Sequence, residues 1–172
     1  MRIEMAPLGS DHANDHSVII VAVSLWAAIR QIPLTAKDNC TYRKAGLSDA
    51  QPDASFYIGK DANIIPWGTN VVDLNLFPPP TLVIEVAKSS LSDDLGEKRL
   101  LYEDLQVGEY WVVNVQKAEV VAFQIENGGS RRTMESKVLP GLSISLLQSA
   151  LQRTRQMNQS EVIAWLLTQF QQ

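Results

Sequence analysis

A mixed α/β domain is the fold class this sequence predicts, and three segments predict it. Thr81 to Ala87 (TLVIEVA) and Tyr110 to Val115 (YWVVNV) are apolar runs of strand length. Between them lies a helical stretch with Leu95, Tyr102 and Leu105 on one face. Strand–helix–strand units connect by a right-handed crossover, which makes the two strands parallel. Runs that are apolar on both faces suit strands covered from each side. The expectation is a central mixed sheet flanked by helices.

The elements follow in order. Met1 to Met5 alternate weakly, as a short strand does. Ser10 or Asp11 can cap a helix through a side-chain oxygen that accepts from a free backbone N–H. Val18, Val21, Ala22, Leu25, Ile29 and Ile32 recur at helical spacing, and Ile19, Val23 and Trp26 add a second stripe. This broad-faced helix is expected to be covered on most sides and to end at Pro33. Asn39 to Leu47 and Asp53 to Ile58 are expected strands. Asp61 to Pro80, rich in Pro, Gly and Asn, reads as a long loop. Ser92 is the expected cap of the central helix and Gly108 its stop. Ala118 to Glu126, the turn Asn127-Gly128-Gly129 and Arg131 to Val138 read as a hairpin. Leu142 to Leu151 and Glu161 to Phe170 are expected helices.

The 172 residues fit one domain, 1–172, in which 142–172 form a C-terminal helical extension. Hydrophobic residues make up 45%, enough for a core. Lys and Arg number 15 against 19 Asp and Glu, for a net charge of −4. That balance excludes nucleic-acid binding by bulk positive charge but leaves room for a local basic groove. One cysteine, Cys40, excludes an intrachain disulfide and a cysteine-rich zinc site, and packing is its expected role. A reducing cytoplasm is the expected location. Val18 to Ile29 is too short to span a bilayer, and no basic export segment precedes it.

Glu85 is the most informative residue. Burying an unpaired carboxylate in such a strand costs on the order of several kcal/mol. It therefore holds a cation, pairs with a structural Arg, or sits at an exposed strand end. Asp53 follows Pro52, which favours extended geometry, so it opens a strand at the rim of a cleft or serves as an ordinary turn residue. Lys98 shares the face of Tyr102, and a lysine on a buried stripe needs an acceptor. Its amine reaches Glu85 and a substrate phosphate, or pairs with Asp94 four residues back, or extends to solvent. Two carboxylates on adjacent strands can hold Mg²⁺ through hard oxygens. The metal polarises a phosphate and acidifies a bound water, while a nearby lysine stabilises the developing charge.

The stretches IEMAPLGSDHA, QPDASFYI, PPPTLVIEVAKSS, DLGEKRLLYEDLQVGEYWVVN and VLPGLSISL run in this order across nearly the whole chain. In them the sequence resembles the Uma-two-like family of putative restriction endonucleases, within the PD-(D/E)XK nuclease superfamily. The resemblance implies a restriction-endonuclease-like mixed sheet, a DNA substrate, and Mg²⁺ with Mn²⁺ as substitute. It implies Asp53 and Glu85 as metal ligands and Lys98 as the active-site lysine. The superfamily's usual lysine position, two residues after the acid, is Ala87 here, and Lys98 on the following helix substitutes. His12, Tyr102 and Lys88 are expected at the cleft, although strand alternation aims Lys88 away from Glu85. Asn114 stands where a strand-end Asp is common. Relatives carry a helix and an acidic strand ahead of Ile3 to Met5, so a carboxylate of the site is expected to be missing, with Glu4 as its partial replacement. A homodimer is expected by analogy with nucleases that cut both strands. The competing reading is a catalytically inactive nucleic-acid-binding or assembly module that keeps the fold.

Weaker signals remain. His12 and His16 share a helical face, which suits a metal pair or simple polarity at a helix start. Arg131 and Arg132, with Lys137, either touch phosphate or form a solvated strand edge. Trp165 and Phe170 pack into the core or into a dimer contact. No phosphate-binding loop, nucleophile elbow or dinucleotide fingerprint is present.

Overall fold

The computed structural model describes residues 7–172, so the strand expected over residues 1–5, with Glu4, lies outside the described residues. The elements are α1 (Ser10–Ile29), β1 (Leu34–Asp38), β2 (Tyr42–Arg43), β3 (Ala54–Ile58), β4 (Val72–Asp73), β5 (Leu82–Ala87), α2 (Leu91–Leu95), α3 (Glu97–Leu105), β6 (Glu109–Asn114), β7 (Glu119–Glu126), β8 (Gly129–Thr133), α4 (Ile144–Arg153) and α5 (Gln159–Phe170). Six strands form one sheet in the order β1-β3-β5-β6-β7-β8, and β2 pairs with β4 outside it. The sheet is mixed: β5 and β6 run parallel, and every other neighbouring pair is antiparallel.

The expected parallel strand–helix–strand unit forms the centre. Every residue of β5 and β6 is buried. Leu82, Ile84 and Val86 face a core shared with α1, α4 and α5, where Val23, Leu147 and Leu166 are fully enclosed. Val83 and Ala87 face the opposite core with Tyr102 and Leu105 of α3. Glu85 alternates onto this second face.

Several local expectations shift. The cap of α1 is Gly9, with no side-chain bond, and Ser10 and Asp11 lie in its first turn. The helix stops at Ile29, and Gln31 takes a left-handed conformation ahead of Pro33, so Ile32 is outside it. The Asn39 to Leu47 strand is reduced to Tyr42–Arg43, while Leu34–Asp38 forms an edge strand that was not anticipated. Ser90, not Ser92, precedes the central helix, and Gly96 divides that helix into α2 and α3. Left-handed Gln106 ends α3. Gly108 does different work: a Cβ there would sit 2.7 Å from the Thr81 carbonyl oxygen, so its absence lets β6 approach β5. Asn127 and Gly128 both have positive φ, as a tight hairpin turn requires. The returning strand ends at Thr133, not Val138. Beyond it the buried Glu109 carboxylate captures the backbone N–H groups of Lys137 and Val138 and the Ser136 hydroxyl. Asn158 and Glu161 form a capping box that starts α5 two residues early.

Candidate active site

Position along the sheet brings the two acidic residues together. β3 runs antiparallel to β5 with Ala54 opposite Ile84. One further step of that register sets Asp53 opposite Glu85 on the same face, at the end of the sheet where β5 finishes. The Asp53 Oδ2 atom accepts from the Val86 N–H at 2.7 Å, which ties the carboxylate to β5. His12 Nε2 faces the same oxygen at 3.5 Å, and His16 Nε2 donates to the Asp53 carbonyl at 2.7 Å. These two histidines of α1 thus clamp the start of β3. His12 Nδ1 is buried without a hydrogen-bond partner among the described residues.

Glu85 is held from the α3 side. The Tyr102 hydroxyl donates to Oε1 at 2.9 Å, and the Lys98 amine donates to Oε2 at 3.0 Å. Lys98 also meets Asp94 Oδ1 at 2.9 Å, so its ammonium lies between two carboxylates. Both alternatives weighed for Lys98, a partner in Glu85 and a partner in Asp94, are therefore realised at once. Its side chain keeps 43% exposure, so the amine still reaches the cleft.

The electrostatics follow from burial. Glu85 is raised from 4.5 to about 7, chiefly because burial penalises its charge; Lys98 opposes the shift and Asp53 adds to it. Burial pulls Lys98 down, but Glu85 and Asp94 outweigh it and hold the amine above its ordinary value. Tyr102 is also pushed up, first by burial and then by the adjacent Glu85 charge, so its hydroxyl remains a donor.

A cleft of about 330 Å³ brings together Asp53, Glu85, Lys98, His12 and Lys88. Tyr102 does not line it but supports Glu85 from beneath. Lys88 lies beyond the end of β5, so strand alternation no longer governs it; its amine turns towards Asp11 at 3.2 Å. Sequence reasoning missed Asp94 as a member of the site. It is fully buried, accepts from the Ser90 hydroxyl at 2.8 Å and takes a Tyr110 hydroxyl on its carbonyl. Its signal in the sequence is the i,i+4 spacing to Lys98, which also fits an ordinary ion pair on a helix surface. Asn114 caps a turn, its side chain accepting from Lys117 N–H. Among the described residues no group of three His, Cys, Asp or Glu side chains gathers at metal-binding distance. Asp53 and Glu85 fit a hard cation as a pair: both are oxygen donors, and Asp53 Oδ1 accepts no hydrogen bond among the described residues.

The chain is a mixed α/β protein with an acidic pair at one end of its central sheet. A crystal structure of "a putative nuclease belonging to DUF820" from Anabaena variabilis ATCC 29413 is similar to it, with a TM-score of 0.61. The similarity covers 86% of this chain and 85% of that one at 15% identity, which is a likeness of fold. The family model Uma2, described as "Putative restriction endonuclease", matches residues 2–159, and the chain belongs to that family. Among curated proteins nothing matches. Among the described residues no helix is long and apolar enough to cross a membrane.

Proposed function

We propose that this protein is a Mg²⁺-dependent nuclease that hydrolyses phosphodiester bonds in DNA. One observation carries the reading: Asp53 and Glu85 share a cleft into which Lys98 delivers an ammonium 3.0 Å from Glu85. Membership of the family supports the nuclease class. Asp53 and Glu85 would hold the metal, with Mn²⁺ as a substitute, and the bound ion would polarise the scissile phosphate and acidify a water. The chain's own residues do the remaining work. The Val86 N–H and the Tyr102 hydroxyl fix the two carboxylates. Lys98, kept protonated by its two acidic neighbours, stabilises the charge that develops on the phosphate. Two copies, one per strand, would act together on duplex DNA in the cytoplasm.

The test is cleavage of plasmid and of single-stranded DNA with Mg²⁺ or Mn²⁺. Lys98→Ala is expected to lower the rate by roughly 10²- to 10³-fold, and Glu85→Ala to reduce cleavage to background. Equal cleavage by wild type and Glu85→Ala would show that the activity is not this protein's. A second reading is a module that binds nucleic acid without cutting it. It draws on Glu85, both of whose oxygens are already engaged. That reading prevails if wild type binds metal and DNA yet cuts neither substrate.

A further inference from the structure

The acidic cleft has a neighbour. A polar cavity of about 500 Å³ adjoins it, lined by Ser10, Asn14, Gln116 and Arg155 among others. Among the described residues, Lys88 is the one side chain that lines both. It stands three residues beyond Glu85, about 10 Å along an extended chain, which is a reach suited to a phosphate close to the scissile one.

We propose that the DNA strand leaves the Asp53–Glu85 centre past Lys88, which binds a flanking phosphate, and that the next nucleotide enters the adjoining cavity. The proposal rests on the nuclease reading and adds the strand's path. Lys88 is available for this role. Its partner is Asp11 at 3.2 Å, and with the two side chains 46% and 69% exposed the pair is weak and exchangeable. The cavity offers what a nucleotide needs. Gln116 and Asn14 present amide groups able to meet a base edge, and Ser10 a hydroxyl. The Arg155 guanidinium is fixed in advance by the buried Asp15 at 2.9 Å and by the Val115 carbonyl at 2.7 Å. With a net charge of −4, affinity depends on a few placed cations.

The experiment measures binding of a fluorescein-labelled DNA strand to the full chain by anisotropy, without divalent metal, over a range of salt. Lys88→Ala is expected to weaken binding about fivefold and to flatten the salt dependence by about one phosphate contact. Asp11→Ala is expected to tighten binding by a similar factor, because it removes the competitor for Lys88. Gln116→Ala, on an exposed side chain, is expected to weaken binding with the salt slope unchanged. Melting temperatures close to wild type for all three variants separate these effects from misfolding. If wild type binds DNA and Lys88→Ala binds equally with the same slope, or Asp11→Ala binds more weakly, the path is wrong while the nuclease reading stands. If wild type binds no DNA strand, the path falls, and the cleavage assay with Mg²⁺ or Mn²⁺ decides the nuclease reading separately.

Discussion

Glu85 sits in an environment that pulls in two directions. Burial raises its pKa to about 7, while the Lys98 ammonium opposes the rise. The folded protein therefore holds this proton more tightly than the unfolded chain does. Glu85's contribution to stability is fully present below its ordinary value of 4.5 and is lost as pH rises through about 7. Metal-free wild type should accordingly lose ground to Glu85→Gln, which keeps the neutral shape, by up to about 3 kcal/mol across that window. Urea unfolding of both proteins at about pH 5 and about pH 8 measures it; a difference independent of pH would contradict the assignment. Glu85 and Lys98 were legible in the sequence as polar groups where apolar ones belong, whereas Asp53 read as either a strand opener or a turn residue after Pro52, and the family resemblance singled it out. Asp94 was not legible, because an acid four residues before a lysine is routine on any helix surface, and only the fold shows that this one is fully buried.

Elements place these residues by close backbone approach. β5 and β6 pair in parallel along their full length, and Gly108 lets them do so. Gly108→Ala should cost about 2 kcal/mol by overpacking, read as a lower urea midpoint. A destabilisation indistinguishable from zero would mean that the contact yields easily. α1 is latched to the end of α4 by Asp15 and Arg155. Arg155→Ala strands a buried carboxylate, for about 3 kcal/mol in the same assay. The central strands were legible because burial on both faces leaves an unbroken apolar run. β1 was not: it is a half-exposed edge strand, and Leu34–Asp38 shows neither alternation nor a run. The early end of β8 was hidden for another reason. Glu109, in the next strand but one, draws the backbone at 137–138 away from the sheet, and no local pattern encodes so distant a partner.

At the scale of the whole molecule, an antiparallel neighbour on one side of β5 and a parallel one on the other bring the start of β3 and the end of β5 to one end of the sheet. α1 then borders that end with His12 and His16, and α3 with Lys98 and Tyr102. A mixed sheet was legible from the order of elements, and the resemblance supplied which residues to watch. The histidine clamp on β3 was not legible, since His12 and His16 share a helical face for more than one reason. The central claim is that Asp53 and Glu85 hold one divalent ion beside Lys98. Anomalous diffraction from a Mn²⁺-soaked crystal tests it most directly. The account predicts a peak between the two carboxylates in wild type that is lost in Glu85→Ala. A protein that cleaves DNA with manganese bound elsewhere, and nothing between Asp53 and Glu85, would contradict it.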